Sequence, residues 1–415
     1  MRFLTLLALT VTSLGAASLP SQLESWTELD DTQRQAVLKQ IQSRALSKFP
    51  EAKQHAIGLA AVKASEDLIE RDKKGNLRKI TDDADKSLLR FAGKFLNSTP
   101  PGATPAHADA QELFGAFPAD APRINRSVAI DPHNARWHST GLYVAPGEVA
   151  TIQLPAEWVD KGLVARISGH TDQIPSKKHH LRLPTAPSRA YPLDAASTEI
   201  ASAFGGALYI DTGKNPIESP AFSVKVSNAL AAPYFILGTT TAEEWNKTHR
   251  HAPAPYAELV TPRVALSIPS AWVRDIEDPT ALMEYWDHIV ALHDELGGFA
   301  HVRRGPERVN VDVQISAGLF HAGYPMQGPT RQTRGVSDLE TLKKQGNWGW
   351  FHELGHESQR RPDKAWRWNN VYTFDNSIEC TVNLFSAHAF DRLKITPKGG
   401  WAWVPITNVS LAMKE

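Results

Sequence analysis

Residues 352–356 read His-Glu-Leu-Gly-His. On a helix, positions i and i+4 share a face, so His352 and His356 can grip one ion while Glu353, one residue round, leans towards its open side. Two imidazoles and a carboxylate bind zinc and leave a fourth position for water, which suits a catalytic rather than a structural site. The surrounding helix is also legible. Asn347 is a good N-cap, Trp348 to Arg361 can run as helix, and Pro362 stops it.

A third ligand must come from a second element. Beyond Glu357 and short of the C-terminal residue, the only glutamate is Glu379. It opens Ile378–Phe390, an apolar stretch without a helix breaker, and Asn383 follows one turn on, placed to hydrogen-bond a ligand from behind. An ordinary first-turn acid favoured by the helix dipole is the competing account of Glu379. Asp363 and Asp375 are the fallback ligands, followed by His388. Cys380 adjoins Glu379, but neighbours on a helix point about a hundred degrees apart, so its thiol is expected to pack rather than coordinate. The metzincin continuation is absent, because Gln359 and Pro362 stand where its Gly and third His belong.

The 415 residues exceed one ordinary core, so two or three domains are expected. Lysine plus arginine and aspartate plus glutamate balance at 45 each, and nothing in that argues for nucleic acid or a membrane surface as partner. Arg2, the apolar run 3–14 and Gly15-Ala16-Ala17 read as a signal peptide cut after Ala17, over residues 1–17. The run is too short to span a bilayer, so a secreted, cell-surface or periplasmic protein is expected. The single cysteine allows no intramolecular disulfide, which fits a bacterial envelope better than a eukaryotic extracellular space.

Residues 20–96 read as helices, with apolar residues at three-to-four spacing over Asp31–Leu46, Glu51–Arg71 and Asp82–Leu96. Residues 97–125 begin with a Pro/Gly/Thr stretch and read as a linker, making the helical piece separable. From 126 to 255, short β-rich runs alternate with turn clusters, the pattern of a β-sandwich domain. Residues 256–415 combine a helix over Pro279–Leu296, a strand over Val309–Ile315 and the His-Glu-Leu-Gly-His helix. The pair His179-His180 beside Lys177-Lys178 is expected in a solvated loop, and Gly169-His170-Thr171-Asp172 in a strand-end turn. The fold class is therefore multidomain α+β: an N-terminal helical segment, a β-sandwich, then a zinc-binding catalytic domain.

These residues resemble the M60, or enhancin-like, metallopeptidases, in which HExxH is followed by a Glu-x-Thr-x-Asn context. Here that is Glu379-Cys380-Thr381-Val382-Asn383. Upstream, Thr140–Glu148, Gly169–Asp172, Ala203–Gly206, Asp312–Ser316 and Gly323-Tyr324-Pro325 also look like segments of this family, and the likeness runs from about residue 126 to 391. The resemblance implies a zincin-like (gluzincin) catalytic domain, one Zn2+ held by His352, His356 and Glu379, and Glu353 as general base. It also implies action on mucin-type O-glycoproteins. Two departures stand out: Glu357-Ser358 replaces an Asn-His pair, and the stretch after Glu379 is shorter than family domains usually carry.

The expected activity is that of a secreted zinc endopeptidase in which Glu353 activates a zinc-bound water. Its substrate class is expected to be mucin-like O-glycoproteins. Tyr324, His321 and His388 are candidate donors to the oxyanion, and Trp348, Trp350, Trp366 and Trp368 candidate platforms for sugar rings, with core packing the plainer account of each. A zinc peptidase without a glycan requirement and a non-catalytic glycan- or mucin-binding adhesin are the alternatives. Intact His352, Glu353, His356 and Glu379 argue against the adhesin.

Overall fold

A computed structural model of the protein describes residues 17–298, 303–359 and 377–396. The expected signal peptide (save Ala17), Asp363, Trp366, Trp368 and Asp375 lie outside those residues. No helix among the described residues is long and apolar enough to cross a membrane.

The N-terminal region folds as α1 (Leu19–Glu24), α2 (Asp31–Ile41), α3 (Ser43–Leu46), α4 (Glu51–Glu66), α5 (Asp83–Ser98) and α6 (Ala110–Phe114). Asp30 caps α2 in a reciprocal box with Gln33, and Asp82 caps α5, so polar residues at the boundaries set both starts. The expected linker, however, is packed. Leu113 and Phe114 of α6 share one buried cluster with Leu89 and Leu96 of α5 and with Leu183, Phe204 and Tyr256 from later in the chain. Prolines and glycines end helices, but they do not exempt a neighbouring Leu-Phe pair from burial, worth about 1.5–3 kcal/mol per side chain. The helical piece is docked rather than separable.

Eight strands follow: β1 (Arg123–Ile130), β2 (Trp137–Val144), β3 (Ala150–Gln153), β4 (Val164–Ile167), β5 (Arg189–Pro192), β6 (Ser197–Ile200), β7 (Gly206–Asp211) and β8 (Phe222–Ala231). Their order is β5-β4-β7-β2-β8-β3-β6, with β1 also along β8, and every pairing is antiparallel. The long β8 serves β1, β2 and β3, which links all eight strands into one sheet rather than the two separate sheets of the expected sandwich. Alternating side chains of these strands, among them Ile130, Ile152, Ile167, Ile210 and Val224, fill one apolar core.

A second, mixed sheet holds β9 (Tyr234–Ile236), β10 (Tyr256–Val260), β11 (Val264–Pro269), β12 (Glu307–Asp312) and β13 (Met326–Pro329), in the order β13-β12-β11-β10-β9. It begins before the expected boundary at 255, because Tyr234–Ile236 pair with Glu258–Val260. With it go α7 (Ala242–Glu244), α8 (Thr280–Gly297), α9 (Thr330–Thr333), α10 (Leu339–Gln345), α11 (Trp348–Ser358) and α12 (Ile378–Arg392). One core cluster joins sheet and helices through Leu266, Val309, Met283, Trp286, Trp350, Phe351 and Phe390. His293 of α8 lies 2.8 Å from the Phe351 carbonyl, fixing α8 against α11.

The two sheets meet through buried charge. Arg308 pairs with Glu258 and donates to the Trp137 carbonyl, while Ser139 and Tyr209 donate to the same glutamate. Arg182 pairs with Asp312, and both are essentially inaccessible to water. His180 is also buried, with its backbone bridged to Ile80 and its Nε2 3.0 Å from the Ile174 carbonyl, so the expected solvated loop is instead a junction with the helical region.

Candidate metal centre

Asn347 accepts the Trp350 N–H at 3.1 Å and starts α11 where the sequence places it. The apolar face of α11 carries Trp350, Phe351 and Leu354 into the core, which turns His352, Glu353 and His356 towards a cleft. Gly355 sets the spacing to α12. A Cβ there would stand 2.8 Å from Val382 Cγ2 and 3.0 Å from Phe385 Cβ, so only glycine lets the helices approach this closely.

That approach brings three donor groups together. His352 Nε2 lies 3.1 Å from His356 Nε2 and 3.1 Å from Glu379 Oε2, and His356 Nε2 lies 3.5 Å from Glu379 Oε1. Atoms each bonded to a tetrahedral zinc at 2.0–2.1 Å stand about 3.3 Å apart, so the three donors match one ion. Among the described residues this is the one group of three such side chains within ligating reach of each other.

The far side of each imidazole is also committed. His352 Nδ1 is 3.0 Å from Asn383 Oδ1, and His356 Nδ1 is 3.0 Å from Gln359 Oε1. A carboxamide oxygen can only accept, so each Nδ1 carries the proton and each Nε2 presents a lone pair to the cleft. The amide nitrogens brace the second helix: Asn383 donates to the Glu379 carbonyl, and Gln359 to the Ile378 carbonyl and Thr381 Oγ1. Glu379, Thr381 and Asn383 thus each have a task. The sequence reading found Asn383 but missed Gln359, whose position three residues after His356 puts it on the same helical face.

Glu353 is 8 % exposed. Burial raises its pKa above the ordinary carboxylate value, opposed by the nearby His352 and His321 and by a hydrogen bond from the Ala322 backbone. The cleft, about 640 Å³, is lined by His352, Glu353, His356, Ile378 and Glu379 on one side and by Ala317, Gly318, Phe320, His321 and Ala322 on the other. The latter belong to the loop between β12 and β13. Glu357, where the family pattern differs, accepts the Gly323 N–H at 2.7 Å and so tethers that loop to α11.

The remaining candidates are distributed unevenly. His321 lines the cleft, but its Nε2 meets Asp172 at 2.8 Å and its Nδ1 the Ala322 carbonyl at 2.9 Å. Burial works to lower its pKa; the hydrogen bonds to Asp172 and Ala322 and the charges of Asp172 and Glu353 outweigh that and hold it above the ordinary histidine value. Tyr324 is not brought to the cluster. Its ring packs edge-on against Trp137 under the Arg136 guanidinium, and its hydroxyl meets the Trp137 N–H in the seam between the sheets. His388 faces Glu295 of α8, with Nε2 3.9 Å from the carboxylate. Trp350 is fully buried against Phe320, and half-buried Trp348 packs on Phe390. Neither offers a sugar platform in this arrangement.

Comparison with known proteins agrees with this architecture. Residues 228–402 match the family described as peptidase M60, enhancin and enhancin-like, and residues 119–227 match the N-terminal domain of M60-like peptidases. A Xenopus laevis TRPM8 channel-associated factor homolog is 34 % identical over 275 residues, covering 66 % of this chain and 29 % of that protein. The chain spans less than a third of the length of the curated relatives it matches. Among solved structures, the IMPa metallopeptidase from Pseudomonas aeruginosa superposes with a TM-score of 0.54 at 15 % identity, over 90 % of this chain and 44 % of that one. The same protein has been solved in complex with an O-glycopeptide, where the TM-score is 0.54 at 14 % identity, over 92 % of this chain and 45 % of that one.

Proposed function

The chain belongs to the M60, enhancin and enhancin-like metallopeptidases, and from that premise we propose that it is a secreted zinc endopeptidase acting on mucin-like O-glycosylated proteins. The observation that carries the catalytic part is the convergence of His352 Nε2, His356 Nε2 and the Glu379 carboxylate beside the buried Glu353. The glycoprotein part draws on the O-glycopeptide bound by the similarly folded IMPa. Export draws on the reading of residues 1–17.

When bound, a zinc ion in this site would lower the pKa of a water towards neutrality and polarise the scissile carbonyl. The residues then divide the work. His352 and His356 present Nε2 because Asn383 and Gln359 hold Nδ1–H. Glu379 supplies a carboxylate from the second helix. Glu353 takes a proton on its carboxylate and returns it to the leaving amine, a service worth typically 10²–10⁴-fold in rate.

The test is intact-mass analysis of a defined O-glycopeptide and its unglycosylated twin, each incubated with the protein and with Glu353→Gln. Cleavage of the glycosylated peptide alone, lost in the variant and on chelation, is the expected result. Cleavage of both peptides removes the glycan requirement. A second reading, a non-catalytic protein that binds a partner, is favoured by relatives named as channel-associated factors. It would stand if wild-type protein with stoichiometric zinc cut neither peptide.

A further inference from the structure

We propose that Asp172, on the first sheet's domain, is a positioning residue for the cleft wall, so that the surface facing substrate is assembled from both domains. This rests on the site being a peptidase centre.

The wall runs through Ser316–Gly323, and it contains Ala317, Gly318, Ala322 and Gly323, which have little or no side chain with which to fix themselves. Ordering such a backbone costs conformational entropy that these small side chains do little to offset, so its shape draws on contacts from outside. Asp172 does this with a single oxygen: Oδ2 accepts the Ser316 N–H at 2.6 Å and the His321 Nε2–H at 2.8 Å, closing the loop between those residues. Asp172 is 7 % exposed and is itself held in place. Arg182 donates to its backbone carbonyl at 3.0 Å and to the Gln314 carbonyl at 3.1 Å while pairing with Asp312. Gln327 reaches back to the Gly169 carbonyl at 2.8 Å, and a Cβ on Gly169 would lie 2.5 Å from Asn310 Oδ1, so the turn carrying Asp172 is pressed onto β12 and β13.

The opposite end of the wall is held by α11, where Glu357 accepts the Gly323 N–H. The loop is thereby suspended between one acid from each domain. A displacement of about 1 Å in such a surface can cost on the order of a hundredfold in rate without touching the metal ligands.

The experiment compares wild type with Asp172→Asn, Asp172→Ala, His321→Gln and Asp172→Ala/His321→Gln. Each is assayed for kcat and KM on a cleaved peptide, zinc content, melting temperature, and hydrogen exchange over residues 313–325. Asp172→Ala is expected to lower kcat/KM by about 10- to 100-fold and to speed exchange over 316–323, with zinc content unchanged. Asp172→Asn, which keeps an accepting oxygen, should recover part of the loss and guards against a fold defect in the alanine variant. The double variant should be no worse than Asp172→Ala, because that variant already loses the contact with His321 along with the one to Ser316. Unchanged exchange in both Asp172 variants overturns the proposal whatever the activity, as does a rate loss matched by zinc loss. If wild type cuts nothing yet Asp172→Ala speeds exchange over 316–323, the positioning role stands and only the peptidase reading falls.

Discussion

The floor and the wall of the cleft are held by different means. On the floor, α11 and α12 face each other across Gly355, and His352 and His356 are oriented by amides from α12 and from the residue that caps α11. The wall is a small-residue loop shaped by Asp172, more than a hundred positions earlier in the chain. The floor fixes which chemistry is available, and the wall fixes how a substrate would meet it. Changes on the two sides should therefore separate in measurement: floor variants disturb metal or proton transfer, wall variants disturb alignment.

The sharpest contrast should come from Glu353→Gln. It is expected to remove up to about 10⁴-fold of kcat while zinc content by elemental analysis stays at wild-type level. Loss of zinc together with activity would show that floor and base cannot be separated. Next, Asp312→Ala strands the buried Arg182 charge and should cost about 3–5 kcal/mol in denaturant unfolding; a loss below 1 kcal/mol would mean that the seam is not what joins wall to scaffold. Gln359→Ala and Asn383→Ala should each weaken zinc about 10- to 100-fold in chelator competition, roughly 1.4–2.7 kcal/mol. Equal affinity in both variants and wild type would deny the amides their orienting part.

The smallest effect concerns the wall and pH. His321 has a folded-state pKa raised above its unfolded value of about 6.5, so its contribution to stability is complete below that value and fades as pH rises through the folded pKa. The melting-temperature gap between wild type and His321→Gln should accordingly be wider at about pH 6 than at about pH 9. A gap that widens with pH would reverse the assigned sign.

The same division governs what could be read in advance. His352, Glu353, His356 and Asn347 follow from helical spacing and capping, and Glu379 from its place at the head of the next apolar stretch, because the floor is built from contacts of short range or from two adjacent helices. Asp172 was legible only as a turn residue, since nothing local ties it to Ser316 or His321. Tyr324 and His388 looked like cleft donors because their chemistry suits the task; packing against Trp137 and Glu295 sends them elsewhere. The supposed linker failed for a similar reason, because Leu113 and Phe114 are claimed by a surface contributed from Leu183, Phe204 and Tyr256. Strand texture was visible, but the branching at β8 that joins eight strands into one sheet is a property of pairing, not of any single strand.

The two amides behind the histidines carry one more implication. A carboxamide does not ionise, so the acceptors behind His352 and His356 offer the same uncharged oxygen at any ordinary pH. The aim of each imidazole is thus set by an uncharged group, and it owes nothing to the charge of the residue that supplies it.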